Sequence, residues 1–570
     1  MKSKNIILSF LLCGIFLLNA CVDLDLNPLS EGSSENWYSN EEELQMATAY
    51  IFNTSIWKRF SPADGFWNTD DFSYRTNLTE ITGSTLTGTS GLVSGTWNDA
   101  YRCISNANQI LSNSSKASEN LTETRLNFFL ANAKFARAAQ YSKLIFLFGD
   151  VPYYTKVLDV EEAFSMGRTN KDAILDSIYA DYDFAIQFLP ENYGTNEYHF
   201  ATKGAAYAMK ARIALYMGDY VTARDAAKAC IDMGVYELFP EYSTLFLQTT
   251  KNSIETIFCI ANSISLKSLW SLSPKSYIVR TAGGFGSATP SWELLCSYLC
   301  TDGLPIDESP LFNPRNPFIN RDPRCTATIV EFGTNWLGYQ YEVHPDSMQI
   351  MNYNTGALVP NTQNRAVDQW ATYNGLMLKK FLDVSMLGSF EAEVDQIIMR
   401  YADVLLMYAE AKIELGEIDE TVLNAINQVR ARAYEVDVNA TADYPAVTTL
   451  NQVELRKALR IERRMEFAWE NDLRYNDIIR WKLAEKVLNR PDYGLLDPQV
   501  LREKVINKGL WFLPGIPEID EDGTPDFTSL YNEGLIKLLA ARKFETRQYL
   551  WPIPTSEIII NDNLTQNTGY

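Results

Sequence analysis

Two helix–turn–helix segments constrain the fold of this chain more than any other feature. Between 202 and 233, apolar residues recur every three or four positions, and Gly218-Asp219 interrupts them. A second segment with the same plan spans 400–433 and turns at Gly416. A glycine turn followed by small residues is typical of tetratricopeptide repeats, whose hairpins bury their apolar faces only by stacking. The sequence therefore predicts a mainly α protein built on a scaffold of tetratricopeptide-like helical hairpins.

Other parts of the chain extend this scaffold or interrupt it. Weaker helical pairs join 41–56 with 98–112 and 126–148 with 171–188, and 454–487 reads as one long helical stretch. Between about 237 and 390 the helical period fades, and Ser, Gly, Pro and Asn become frequent. Irregular regions of this length usually carry function on a rigid scaffold. We therefore expect this large loop-rich region to bear the ligand face, together with the similar segment 60–97.

The first residues predict an exported protein. Lys2 and Lys4 precede an apolar run from Ile6 to Leu18, which is too short to span a bilayer but suits a signal peptide. The following Leu17-Leu18-Asn19-Ala20-Cys21 resembles a bacterial lipobox. We predict a signal peptide over 1–20, several acyl chains on Cys21 that hold the protein to the membrane, and an extended tether over 21–36. An ordinary signal peptide with an incidental cysteine is the alternative.

Charge and rare residues exclude several functions. The chain has 71 acidic and 50 basic residues, a net charge of −21, which repels nucleic acid. Only two histidines, His199 and His344, are present, and no EF-hand spacing occurs. We therefore predict no cofactor and no metal site, although calcium among the acidic loops stays open. The six cysteines after Cys21 lack a C-x-x-C pair, which favours buried thiols over zinc or disulfides.

A series of motifs runs along the whole chain in a fixed order behind the lipobox. The motifs are Ala133-Lys134-Phe135, Phe148-Gly149-Asp150-Val151-Pro152, Ala201-Thr202-Lys203-Gly204, Asp322-Pro323-Arg324, Met399-Arg400-Tyr401-Ala402-Asp403, Glu462-Arg463-Arg464, Arg474 to Trp481, and Leu550-Trp551-Pro552-Ile553-Pro554. Each motif is weak alone, but in this order they resemble the SusD/RagB family of nutrient-binding outer-membrane lipoproteins. One departure is Asn471, where the family often has glycine; asparagine tolerates the left-handed backbone, so we expect the turn to survive.

The resemblance implies a function and a domain plan. It implies a lipid-anchored protein of the outer membrane, facing the cell exterior, that captures oligosaccharide and passes it to a SusC-like TonB-dependent transporter as its lid. The alternatives are the same role for peptides or another nutrient, and an adaptor lid without ligand affinity of its own. We expect no enzyme activity. The implied regions are 37–236, N-terminal and helical, and 237–570, with the loop-rich insert at about 237–390 and helical hairpins at about 391–490.

Candidate ligand-binding residues are aromatic and polar side chains in the irregular segments. Flat rings stack on the C–H faces of sugars, while polar groups bond the hydroxyls. Buried loop packing is the alternative for each ring. By contrast, we expect the charged residues of the motifs between Arg400 and Arg480 to form structural ion pairs between helices. The ligand-binding candidates are Trp67, Asn68, Tyr74, Arg75, Asn77, Trp270, Phe285, Trp336, Tyr339, Tyr341 and Tyr353.

Overall fold

The structure is a computed structural model that describes residues 37–57, 66–193, 200–270 and 273–570. The predicted signal peptide, Cys21 and the tether lie outside the described residues. The helices are α1 (Glu41–Ile51), α2 (Thr54–Trp57), α3 (Gly91–Asn113), α4 (Glu123–Phe148), α5 (Val160–Ser165), α6 (Lys171–Phe188), α7 (Lys203–Met217), α8 (Tyr220–Asp232), α9 (Trp292–Ser297), α10 (Pro323–Thr328), α11 (Tyr401–Leu415), α12 (Glu420–Ala433), α13 (Gln452–Glu466), α14 (Leu473–Arg480), α15 (Ala484–Val487), α16 (Pro498–Lys504), α17 (Thr528–Asn532) and α18 (Thr555–Ile560).

Short strands connect the irregular parts. Among the described residues they form two-stranded antiparallel pairs β1–β3, β2–β8, β9–β12 and β10–β11, and one four-stranded sheet in the order β4-β5-β6-β7. The strands are β1 (Phe72–Ser73), β2 (Thr256–Ile260), β3 (Thr289–Pro290), β4 (Asn335–Trp336), β5 (Tyr339–Gln340), β6 (Gln349–Asn352), β7 (Ala357–Pro360), β8 (Gln396–Arg400), β9 (Asp492–Gly494), β10 (Glu518–Ile519), β11 (Pro525–Asp526) and β12 (Lys537–Ala540).

The scaffold is a continuous stack of helices. Helix α3 packs on α4, α4 on α6, α6 on α7, α7 on α8, α8 on α11, and α11 on α12. Gly218 and Gly416 end α7 and α11 in the left-handed conformation, with φ of 82° and 72°. Asp219 and Asp419 then cap α8 and α12 through side-chain hydrogen bonds. The predicted mainly α fold with tetratricopeptide-like hairpins is confirmed.

The single long helix expected over 454–487 is wrong. The segment is divided into α13, α14 and α15. Trp469 and Asn471 adopt positive φ of 65° and 45°, which ends helical continuation after α13. This turn directs the Glu470 carboxylate back onto Arg400 and Lys380. The left-handed turn expected at Asn471 is confirmed.

Two apolar cores divide the molecule. One lies between the stacked helices, and the other lies under the loop-rich region, where Trp292 and Trp469 are buried. Cys296 and Cys325 belong to this second core. All six cysteines of the described residues are buried and unpaired, as the sequence predicts for buried thiols.

Charged side chains at the end of α13 occupy the space between the two cores. Glu462 accepts hydrogen bonds from Arg324 and Arg430, at 2.6 and 2.8 Å. Four residues further on the same helix face, Glu466 accepts hydrogen bonds from Arg324, at 2.9 Å, and from Arg400, at 2.6 Å. The expected structural ion pairs are confirmed.

Arg463 points from α13 to another side. It donates hydrogen bonds to Asp403 of α11 and to Asp477 of α14, at 2.8 and 2.9 Å. Although burial opposes ionisation, Arg463 and Arg212 lower the pKa of Asp403 to about 2. The charged pair therefore stays ionised inside the protein and joins α7, α11, α13 and α14.

The Arg400→Met variant tests the importance of this network. Arg400 is buried and pairs with Glu255, Glu466 and Glu470, so its removal leaves three carboxylates without their common cation. We expect a loss of about 3–5 kcal/mol in the free energy of unfolding, measured by urea denaturation. Lys228→Met, which removes an exposed ion pair with Asp232, is the control and should cost far less, because water screens an exposed pair. Equal effects of the two variants would contradict the prediction.

Candidate ligand-binding face

A short sheet brings two distant loops together. Strand β1 pairs with β3, so that Phe72 lies opposite Pro290 and Ser73 opposite Thr289. The loop 66–75 and the loop 273–290 therefore lie side by side, although most of the helical scaffold separates them in sequence. The indole N–H of Trp67 donates to the hydroxyl of Tyr277 at 3.3 Å and adds a second link between the loops.

Two aspartates fix the first loop to the scaffold. Asp70 accepts hydrogen bonds from Arg464 at 2.8 Å and from Arg474 at 2.9 and 3.0 Å. Asp71 accepts a further bond from Arg464 at 2.7 Å. Burial opposes the charge of Asp70, but the two guanidiniums outweigh it and lower the pKa of this carboxyl below its ordinary value. Helices α13 and α14 thus determine where the aromatic residues on either side of Asp70 lie.

The inner part of the loop is an aromatic stack. Trp67 and Phe72 lie nearly parallel with ring centroids 5.1 Å apart, and Tyr74 lies 5.9 Å from Trp67. Phe72 also contacts the buried ring of Trp469. Trp67 and Tyr74 are therefore half-buried, and each presents only part of its ring to solvent.

The outer part combines exposed rings with charged groups. Arg75 adopts a positive φ of 54°, donates to the carbonyl of Trp370 at 3.1 Å, and lies 5.2 Å from the centroid of that indole. Arg280 donates to Asp368 at 2.8 Å and to the carbonyl of Phe285 at 3.3 Å. Trp370 and Phe285 are 51% and 49% exposed. We call Trp67, Tyr74, Arg75, Arg280, Phe285, Asp368 and Trp370 the ligand face.

Glycines allow the second loop to fold onto itself and present Phe285. A Cβ on Gly284 would lie 2.1 Å from the carbonyl oxygen of Ile278, so no side chain fits there. The backbone N–H of Phe285 donates to the carbonyl of Lys275, whose ammonium lies 4.8 Å from the Phe285 ring. Glycine is therefore required beside Phe285, because the backbone of Ile278 lies too close for any side chain.

The structure separates the predicted residues into groups. It brings Trp67, Tyr74, Arg75 and Phe285 to one face. Asn77 is exposed in the turn beyond Arg75, and Asn68 is buried beside Trp67.

Two predicted rings are corrected. Trp270 is packed between Tyr277 and Phe381 and is only 8% exposed. Tyr341 is 1% exposed, and its hydroxyl donates to the carbonyl of Gly375. Both rings are part of the core because neighbouring side chains cover their faces, so neither presents a surface to a ligand.

The other three rings lie on the four-stranded sheet. Trp336 of β4 is opposite Tyr339 of β5, and Tyr353 follows β6 with 47% of its surface exposed. The strands of this sheet pair with one another and not with β1 or β3. Whether these rings contact ligand stays a prediction.

Sequence reasoning missed Trp370, Arg280 and Asp368. The candidates were chosen as aromatic residues in polar, irregular segments. Trp370 fits this description, because it follows Asp368-Gln369 in such a segment. Arg280 and Asp368 have no comparable signal, since their pairing depends on how the loops at 280 and 368 meet in space.

The geometry provides partial ring faces, two guanidiniums and a carboxylate around one surface. Such a set can stack on apolar C–H faces and exchange hydrogen bonds with hydroxyl groups. Asp368 forms an ion pair with Arg280 at this surface. Within the described ranges, no helix has the length and apolar character needed to cross a membrane.

Known proteins resemble this chain in sequence and fold. The chain is 26% identical over 522 residues to SusD-like protein P25 of Formosa agariphila. The aligned region covers 87% of this chain and 93% of the relative. It is 25% identical to SusD-like protein P2 of the same organism over 98% of both chains. A SusD-like carbohydrate-binding protein of Bacteroides fragilis superposes with a TM-score of 0.75, at 25% identity, over 93% of this chain and 99% of the other.

Family profiles agree with these relatives. The profile described as SusD family matches residues 255–570, and the profile described as starch-binding associating with outer membrane matches residues 25–215. The chain belongs to the SusD family.

A buried carboxyl beside the ligand face predicts a pH dependence of stability. Asp492 accepts a hydrogen bond from Ser73 of β1 at 2.7 Å and lies near Arg542 and Glu293. Burial, reinforced by Glu293, raises the pKa of Asp492 to about 7 even though Arg542 opposes the shift. In the unfolded chain the pKa of an aspartate is about 4. Between these values the native state binds more protons, so this group's contribution to stability is lost as pH rises toward 7.

The Asp492→Asn variant removes this ionisation while keeping an acceptor for Ser73. We expect the free energy of unfolding of the natural chain to fall between pH 5 and pH 8, and we expect a smaller fall in the variant. Urea denaturation at each pH measures the difference. Asp443→Asn, which changes an exposed carboxyl, serves as the control. If Asp492→Asn keeps the full pH dependence of the natural chain, the assignment is wrong.

Proposed function

We propose that this protein binds oligosaccharide through the ligand face. The observation that supports the proposal most is the convergence of Trp370 and Phe285, each half exposed, with Arg75 and Arg280 on loops that are fixed to a rigid scaffold. Sugar rings offer apolar faces to aromatic groups and hydroxyls to guanidiniums. The similarity to a protein described as carbohydrate-binding, over almost the whole chain, is in agreement.

The expected affinity is modest. Each aromatic contact contributes about 1 kcal/mol, and each hydrogen bond contributes a similar net amount. A few such contacts correspond to micromolar to millimolar dissociation constants. Weak binding suits a protein that passes its ligand on and does not change it chemically.

We further propose that the chain is anchored to the outer membrane by acyl chains on Cys21, faces the cell exterior, and serves as the lid of a SusC-like TonB-dependent transporter. The lipobox-like segment supports the anchor, and the matched profile described as associating with the outer membrane supports the location. The same scaffold with a peptide ligand is the second candidate. It is favoured by the two guanidiniums, which would also bind the carboxylates of a peptide.

Titration calorimetry of the purified chain against a panel of plant, host and microbial glycans and a peptide digest tests the ligand class. We expect heat from one class of glycan. We also expect Trp370→Ala and Phe285→Ala each to weaken that binding about fivefold, because each removes one ring contact. Tyr353→Ala, which removes a similarly exposed ring on the separate four-stranded sheet, is the matched control and should change affinity little.

Other outcomes would contradict the proposal in different ways. Binding of peptides and of no glycan would establish the second candidate. Glycan binding that Tyr353→Ala weakens and Trp370→Ala leaves intact would move the site to the four-stranded sheet. Silence toward both ligand classes would favour an adaptor lid without affinity of its own.

A further inference from the structure

A second groove lies on the helical scaffold, away from the ligand face. It runs between α4, the end of α7, the end of α14 and the C-terminal segment 546–569, and its volume is about 700 Å³. Sites for small ligands usually have volumes of this order. The walls supply apolar and aromatic surface together with hydroxyl groups at the rim. The residues that supply them are Phe146, Tyr216, Met217, Thr546, Tyr549, Leu550 and Thr568.

Four basic side chains line this groove, and two of them have no carboxylate partner among the described residues. Arg480 pairs with Glu410 and Asp477, and Arg547 pairs with Glu545. Among the residues the structure describes, neither Lys171 nor Lys482 forms an ion pair. The ammonium of Lys482 lies 4.3 Å from the centroid of the Tyr549 ring.

Lys171 and Lys482 line the same groove. Partial burial and the positive charge of Lys171 lower the pKa of Lys482. The chain has a net charge of −21, yet this groove carries two lysines that form no ion pair with any described residue. An anion bound in the groove would offset this positive charge and accept charge-assisted hydrogen bonds from the ammonium groups.

The remaining walls indicate what carries the anion. A small inorganic anion would leave most of a 700 Å³ groove unfilled. The ring of Tyr549 and the apolar surface of Met217 suit the C–H face of a sugar, while the hydroxyls of Thr546 and Thr568 suit its polar edge. A sugar with an acidic substituent would place its ring against the aromatic and apolar wall and its acidic group near the two lysines.

We propose that this groove is a second carbohydrate-binding site, selective for an acidic saccharide that carries a carboxylate or a sulfate. Lys171 and Lys482 bind the acidic group, and Tyr549 contacts the sugar ring. The groove shares no residue with the ligand face, so this proposal does not depend on which ligand the ligand face binds.

Calorimetry on the full purified chain at low salt tests the proposal. The probes are digalacturonate, a sulfated galactose disaccharide, the neutral galactose disaccharide and sodium sulfate. We expect at least one acidic disaccharide to bind, and the neutral disaccharide and sulfate to bind at least tenfold more weakly. Lys171→Gln and Lys482→Gln should each weaken binding of the acidic disaccharide about tenfold, because each removes one charge-assisted contact.

Two controls make the result specific. Lys508→Gln, which removes an exposed lysine outside the groove, and Trp370→Ala, in the ligand face, should leave the affinity unchanged. Thermal unfolding of the lysine variants should match that of the natural chain, because both side chains lie at the surface of the groove. Absence of binding by both acidic disaccharides, binding that survives both lysine substitutions, or equal affinity for sulfate and the acidic disaccharides would each overturn the proposal.

Discussion

The structure depends on one turn of helix α13. From Glu462 to Glu466, four of five side chains are charged and buried, and they point to different sides of the helix. The two glutamates bind arginines of α10, α12 and β8, Arg463 binds α11 and α14, and Arg464 binds the loop of the ligand face. Buried ion pairs often contribute little net stability, but an unpaired buried charge costs several kcal/mol. The network therefore permits few arrangements of scaffold and loops other than the observed one.

This constraint explains how an irregular surface can have a fixed shape. The loop 66–75 has little regular structure, with only two residues in β1. Its position is fixed by Asp70 and Asp71. Asp70 forms ion pairs with Arg464 and Arg474, and Asp71 forms an ion pair with Arg464. Buried charges thus position the loop that carries Trp67, Tyr74 and Arg75 of the ligand face.

Much of the fold could be predicted from the sequence because its signals are local. Glycine turns at Gly218 and Gly416 and the three-to-four period of the helices need only neighbouring residues. The sequence did not predict the end of helix α13, because the turn that follows it is stabilised by hydrogen bonds from Arg400 and Lys380 to Glu470. Both residues are distant from Glu470 in sequence. The site was predicted in part for the same reason: Trp67, Tyr74 and Phe285 stand in polar loops, whereas the burial of Trp270 and Tyr341 and the pairing of Arg280 with Asp368 follow only from tertiary contacts.

The most direct test of the central claim is hydrogen exchange of the Asp70→Asn variant, followed by mass spectrometry. If the charge pairs of Asp70 hold the loop to α13 and α14, amides in 66–75 and in the paired segment 287–291 should exchange faster than in the natural chain. Amides of α4 and α6 should keep their protection and show that the scaffold is still folded. Unchanged protection of both loop segments would contradict the account, since the ligand face would then be positioned without its buried charges.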